Sequence, residues 1–307
     1  MGDAHDHGSA AVALHAGAAY KRRLVAALLL IGGFFVVELV GGLLTNSLAL
    51  LSDAGHMFTD VLGISMALAA IQVAGRGGHA PQRSFGLYRL EILAALANAL
   101  LLAAVALFII VEAVRRLSAP PEVLALPMLL IGAVGLLVNL AAFLLLRAGA
   151  AASLNVEGAY LEVLADMLAS VGVVASAVVS LTTGFTRADP LFALAIGGFV
   201  LPRAWRLGRK ALRVLLQSAP PHLDVAAVEQ QLGELDGVAS VHDLHLWTLT
   251  SGMDVGSVHL RLSPGSDGHA ALDGARRLLR HHGVGHATVQ VEPADHAACD
   301  DCERTSW

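Results

Sequence analysis

The chain has 307 residues, 56% of them hydrophobic and 15% charged, with a mean hydropathy of +0.66. That balance excludes a soluble protein and places the chain among integral membrane proteins. The formal net charge of −5 carries little meaning, because the charges are unevenly placed and lysine occurs only at Lys21 and Lys210. Richness in Ala, Gly, Leu and Val, with arginine in place of lysine, fits a GC-rich bacterial coding sequence.

Residues 1–20 are polar and contain His5-Asp6-His7. No signal peptide is expected, since the first apolar run extends far beyond an h-region. Six segments are long enough to cross a hydrocarbon core of about 30 Å: 24–44, 48–74, 91–114, 125–147, 156–181 and 189–208. The breaks carry turn residues, among them Thr45-Asn46-Ser47, Gly75 to Pro81, Ala119-Pro120-Pro121 and Thr182 to Pro190. The end of the last span is the least defined, because Pro202 and several arginines crowd it.

An even number of spans puts both termini on one side. Lys21, Arg22, Arg23, Arg76, Arg83, Arg89, Arg147 and the basic run from Arg203 to Arg213 fall on that side. Only Arg115, Arg116 and Arg187 fall opposite. The positive-inside rule therefore places both termini in the cytoplasm.

Two of the apolar spans carry pairs of metal-ligand residues. His56 and Asp60 lie in LLSDAGHMFTDVLGISMAL, and Glu162 and Asp166 in GAYLEVLADMLASVGVV. Spacing of i,i+4 puts each pair on one helix face, one turn apart. Ionisable groups at membrane depth cost about 2.5–3.5 kcal/mol each by insertion scales, so they usually mark a transport path. Two facing pairs offer four ligands, as many as a tetrahedral divalent metal takes. The bland alternative, polar residues pairing to hold helices together, returns only about 0.6 kcal/mol per contact. Glu38, Asn98 and Asn139 are also polar at depth but lack an i+4 partner of metal type, which suits packing or a proton path. Glu91, near a boundary, can pair with Arg89 or Arg83.

After Gln217 the pattern becomes that of a small soluble domain. A helix is expected over Asp224–Leu235, strands near Ser240–Thr250 and Asp254–Leu262, and a helix capped by Ser266 and running to about His282. A last strand follows over His286–Glu292. The order αββαβ suggests an α+β sandwich with helices over one sheet face. Its core is small, so dimerisation would help its stability. His242, His259, His269 and His286 with Glu292 suffice for a second metal site, or else are surface histidines on a polar face. His245 and Trp247 share a strand face, where Trp247 reads as packing or a dimer contact. In the tail, Cys299 and Cys302 form a lone CxxC, half a zinc site and too close together for a disulfide framework. His5 and His7 could complete it from a neighbouring subunit, and His79 could serve as a relay between the spans and the soluble domain. Incidental, solvated residues are the plain alternative for each. The expected division is an N-terminal tail over 1–20, a membrane domain over 21–215, an α+β metal-binding domain over 216–293 and a C-terminal CxxC tail over 294–307.

The stretches ELVGGLLTNSLALLSDAGHMFTD, SFGLYRLEILAALANALLL, GAYLEVLADMLAS, DPLFALAIGGF and SVHDLHLWTLTSG resemble, in order, the cation diffusion facilitator family of divalent-metal exporters. The resemblance covers nearly the whole chain. It implies six transmembrane helices, a cytoplasmic metallochaperone-like (ferredoxin-like) domain, a homodimer in a bacterial inner membrane, and exchange of metal for protons. It places metal ligands at or near His242, His259, His269, His286 and Glu292. The implied partners are divalent metal ions, protons, lipid and a second copy of the chain, with no nucleic acid. Such a protein is a secondary active transporter and not an enzyme.

One departure bears on selectivity. The zinc-exporting branch usually has His-x-x-x-Asp in the second pair, and Glu162 stands where that histidine would fall. One imidazole and three carboxylates remain a sufficient shell for Zn2+, but oxygen ligands make Cd2+, Co2+, Mn2+ or Fe2+ more acceptable. Alternatively Glu162 keeps a proton until metal arrives and is a proton carrier as much as a ligand. Two other classes stay open at this point. An intramembrane metalloenzyme would also hold His and carboxylates at depth, yet there is no HExxH and no set of histidine boxes. A membrane metal sensor would explain the soluble histidines but not the four intramembrane ligands.

Overall fold

The computed structural model describes residues 29–59, 61–62, 85–150 and 154–295, and the chain falls into two compact units. One joins Met1–Met66 to Ala97–Leu207, the other Ala67–Leu96 to Gly208–Trp307.

The apolar runs of the first unit form α1 (Leu29–Thr45), α2 (48–59), α3 (Arg89–Ser118, entering at Ala97), α4 (Ala125–Ala150), α5 (Leu154–Thr183) and α6 (Ala188–Leu215, within the unit to Leu207). Among the described residues, α3 to α6 are each long and apolar enough to span a bilayer. Their inward faces repeat alanine interleaved with β-branched residues at helical spacing: Ala106, Ile109 and Ala113 on α3; Ala169, Val173 and Ala177 on α5; Ala193, Ile196, Val200 and Ala204 on α6. Small side chains let helix backbones approach closely, the packing that works where lipid supplies no hydrophobic drive. Large apolar residues such as Leu100, Leu107, Phe108 and Leu137 point outward instead. A soluble protein would not tolerate that surface, but lipid does.

The α1–α2 corner is tied by several hydrogen bonds. Asn46 takes a left-handed conformation (φ 56°), which asparagine tolerates better than most residues. Ser47 Oγ and the backbone N–H groups of Leu48 and Ala49 all donate to the Asp189 carboxylate, at 2.6, 2.7 and 3.2 Å. Asp189 thus caps α2 from 141 residues away while sitting in the first turn of α6. Arg116 adds a bond to the Asn46 carbonyl at 2.8 Å.

The second unit contains α7 (Val225–Gly233), β1 (Val238–Thr250), β2 (Met253–Leu262), α8 (Gly268–His281) and β3 (Val284–Glu292). Asp224 caps α7 by accepting from Ala227 N at 3.2 Å. The cap of α8 is Asp267, not the expected Ser266; its carboxylate accepts from His269 N at 2.9 Å. β1 and β2 are antiparallel across a turn with Gly252 at φ +74°, a conformation that glycine adopts without strain. The α8 crossover makes β3 parallel to β2, in strand order β1-β2-β3. Val228, Leu232, Ala275 and Leu279 of the helices pack with Leu246, Val258, Leu260 and Val284 of the sheet. One sheet face is therefore covered by helices, as the αββαβ order implied, and the other is left for polar residues. The first turn of α3 belongs to this unit. There Glu91 accepts from Thr250 Oγ1 at 2.8 Å, while Arg83, one of its two expected partners, lies outside the described residues.

Candidate functional site

Within the first unit, α2 and α5 present matching polar faces. On α2, Asp53 and His56 lie three residues apart, and on α5, Asp166 and Ser170 lie four apart. His56 Nε2 stands 3.1 Å from Asp166 Oδ1, with both side chains only 2% exposed. One turn along, Ser170 Oγ donates to Asp53 Oδ2 at 3.0 Å and accepts from Asn139 Nδ2 of α4 at 3.0 Å. Glu38 of α1 is fully buried, with its carboxyl group beside those of Asp53 and Asp166. Its room comes from Gly135 of α4, where an added Cβ would meet Glu38 Oε1 and Phe34 Cε1 at 2.7 Å each.

Of the expected membrane ligands, His56 and Asp166 are therefore brought together. Asp60 lies outside the described residues, as do His5, His7, His79, Cys299 and Cys302. Glu162 lies on α5 one turn before Asp166, and its side chain falls outside the described residues. The sequence reading missed Asp53 and Ser170 as neighbours of the pair. It placed Arg203 at the cytoplasmic side of the last span without linking it to the site; Arg203 is part of α6, and its NH1 lies 3.0 Å from His56 Nε2.

The second cluster sits on the open face of the sheet. His242 and His259 are cross-strand partners in the β1–β2 register, their rings edge to face with centroids 5.3 Å apart. Gln290 is the β3 partner of His259, and Glu292 follows two residues on, on the same face. Glu292 Oε1 lies 3.2 Å from His259 Nδ1 and Oε2 lies 3.4 Å from His242 Nε2. One ligand atom from each of the three lies within 4.8 Å of the others. Two imidazoles and a carboxylate are a donor set that suits a transition metal. Gln290 Nε2 donates to Glu292 Oε1 at 3.0 Å and orients it.

His286 and His269 do not join this cluster. His286 is six residues before Glu292, about 20 Å along an extended strand, and its ring packs edge-on against Phe85 at 6.1 Å. His269 lies in the first turn of α8. A neighbour that sequence reading missed is Asp243, held at φ 53° where the β1–β2 register slips between His242 and His245. That backbone turns its carboxylate toward His245 Nε2 at 2.9 Å and His259 Nε2 at 3.7 Å. The only hint was the acidic residue between two histidines in SVHDLHLW.

Residues 24–216 match the cation efflux transmembrane domain, and residues 220–294 match the cytoplasmic domain of cation efflux proteins (ZT_dimer). This chain belongs to the cation efflux family. It is 46% identical over 260 residues to the metal cation efflux system protein CzcD of Cupriavidus metallidurans, covering 85% of this chain and 80% of that protein. It is 38% identical to the cadmium, cobalt and zinc/H(+)-K(+) antiporter of Bacillus velezensis, over 92% of this chain and 91% of the other. It is 39% identical to the zinc transporter ZitB of Escherichia coli, over 88% and 87%. The chain is thus a multi-pass membrane protein of metal cation efflux, a transporter and not an enzyme.

Proposed function

We propose that the chain exports Zn2+ from the cytoplasm in exchange for protons, through a transport site made of His56, Asp60, Glu162 and Asp166. The observation that carries this reading is the approach of His56 Nε2 to Asp166 Oδ1 at 3.1 Å, nearly sealed from solvent, between two helices of the membrane domain. An imidazole lone pair and a carboxylate oxygen at that spacing can close on one ion. Loading needs neutral His56 and ionised carboxylates, so metal entry expels protons. Once the site faces outward, protons from a more acidic exterior compete for the same atoms and eject the metal. Relatives named for zinc, cadmium and cobalt support a transition-metal cargo.

In this reading both termini are cytoplasmic and the membrane is the bacterial inner membrane. The cytoplasmic domains pair two copies into a homodimer. His242, His259 and Glu292 bind a regulatory ion there, which shifts the balance between transporter states only through unequal affinity for them.

The test is flux of zinc, cadmium, cobalt, manganese and iron(II) into proteoliposomes with an imposed pH gradient, for the wild type and Glu162→His. Zinc is expected to lead in both. A lead for manganese or iron(II) that Glu162→His turns toward zinc would instead make Glu162 the selectivity residue. Flux indifferent to the pH gradient would overturn proton coupling.

A further inference from the structure

Arg203 reaches the membrane site but has no part in the transport-site reading. An arginine inside a membrane helix is costly and needs a partner. α2 and α6 both begin at the Asp189 clasp. At 1.5 Å per residue, His56 lies about 13 Å along α2 and the Arg203 backbone about 21 Å along α6. Side chains lean toward the N-terminus of their own helix, so an extended arginine spans that difference. Its NH1 ends 3.0 Å from His56 Nε2.

A guanidinium can only donate hydrogen bonds. The 3.0 Å contact is therefore a bond only if Nε2 offers its lone pair, the lone pair a metal would use. Asp166 Oδ1, 3.1 Å from the same nitrogen, has no hydrogen-bond partner among the described residues. In that tautomer two electron-rich atoms face each other across the gap, an arrangement that repels unless a cation stands beside it. The guanidinium is that cation.

Building on the transport-site reading above, we propose that Arg203 is a tethered counter-cation which occupies the His56–Asp166 site when it holds no metal. Incoming metal must displace it. Arg203 thereby sets the affinity of the site: it stabilises the empty carrier's carboxylates and keeps cargo from binding too tightly to leave. Its permanent charge and branched donor head suit this role better than a lysine would.

The test is equilibrium binding of Co2+ and Zn2+ to the full-length chain in lipid nanodiscs, with the tetrahedral Co2+ absorption band as a second readout. The transport-site component is the part that Asp166→Asn removes. If Arg203 occupies the site in about nine of ten empty carriers, Arg203→Gln tightens that component about tenfold, and Arg203→Lys falls between it and the wild type. Unchanged or weaker binding in Arg203→Gln, with its unfolding temperature intact, would overturn the proposal. So would tightening by Arg203→Lys as large as by Arg203→Gln, since shape and not charge would then be the cause. Should Arg203→Gln fail to fold, Arg203→Met keeps the stem and removes the charge, with the same two outcomes. Failure of the transport-site reading shows separately, as an Asp166→Asn protein that loses no metal.

Discussion

The two candidate metal sites are built by different rules. In the membrane domain, helix periodicity does the work: His56 on α2 meets Asp166 on α5, and Asp53 meets Ser170 one turn away. In the cytoplasmic domain the ligands come from cross-strand register, His242 opposite His259 and the latter opposite Gln290. The first is sealed, with both side chains 2% exposed, and crowded with carboxyl groups. The second is partly open, with His242 32% exposed, His259 18% and Glu292 7%. A sealed site can release an ion only when the surrounding helices rearrange, which suits a cargo. An open one exchanges with the cytoplasm directly, which suits a sensor of metal level. The membrane site also carries its own cation in Arg203; the sheet site is fixed by Gln290 and by the strained turn at Asp243.

Substitutions can separate the two. The largest effect expected is from His56→Ala, which removes the nitrogen donor of the membrane site and should weaken its metal binding by at least about 100-fold. Titration with Zn2+ should then leave only the cytoplasmic component. Glu292→Gln keeps an oxygen but loses the charge facing both histidines, and should weaken the cytoplasmic component by about 10-fold; an unchanged affinity would make His242 and His259 plain surface histidines. Gly135→Ala drives a methyl group against Glu38 and Phe34, and should cost about 1–3 kcal/mol of stability by overpacking. Thermal unfolding of the full chain would show it as a lower transition in the membrane domain alone. Smallest is Asp224→Ala, which uncaps α7 for about 1 kcal/mol and should move only the cytoplasmic domain's transition.

What the sequence made legible follows the same division. Helical spacing is local, so the His56 and Asp166 faces could be read directly; four apolar runs correspond to α3–α6, and the described parts of the other two lie in α1 and α2. Contacts between distant segments could not be read: the capping of α2 by Asp189 joins residues 141 apart. The approach of Arg203 to His56 joins residues 147 apart, and the end of α6 at Leu215 was missed because the hydropathy of the last span fades where the arginines crowd. In the sheet, alternation put His286 on the polar face with Glu292 but ignored the strand length between them. The positive φ of Asp243 belongs to a register slip that alternation alone does not reveal. Choosing Ser266 over Asp267 as the α8 cap was a one-residue error between two good capping residues.

The most direct test of the central claim is proton-driven zinc flux in proteoliposomes, comparing the wild type, Asp166→Ala and Glu292→Ala at saturating zinc. The account predicts no flux above empty liposomes for Asp166→Ala, in a protein that still folds and binds zinc in its cytoplasmic domain, and substantial flux for Glu292→Ala. Flux retained by Asp166→Ala would contradict it, and would move the cargo path away from the His56–Asp166 site.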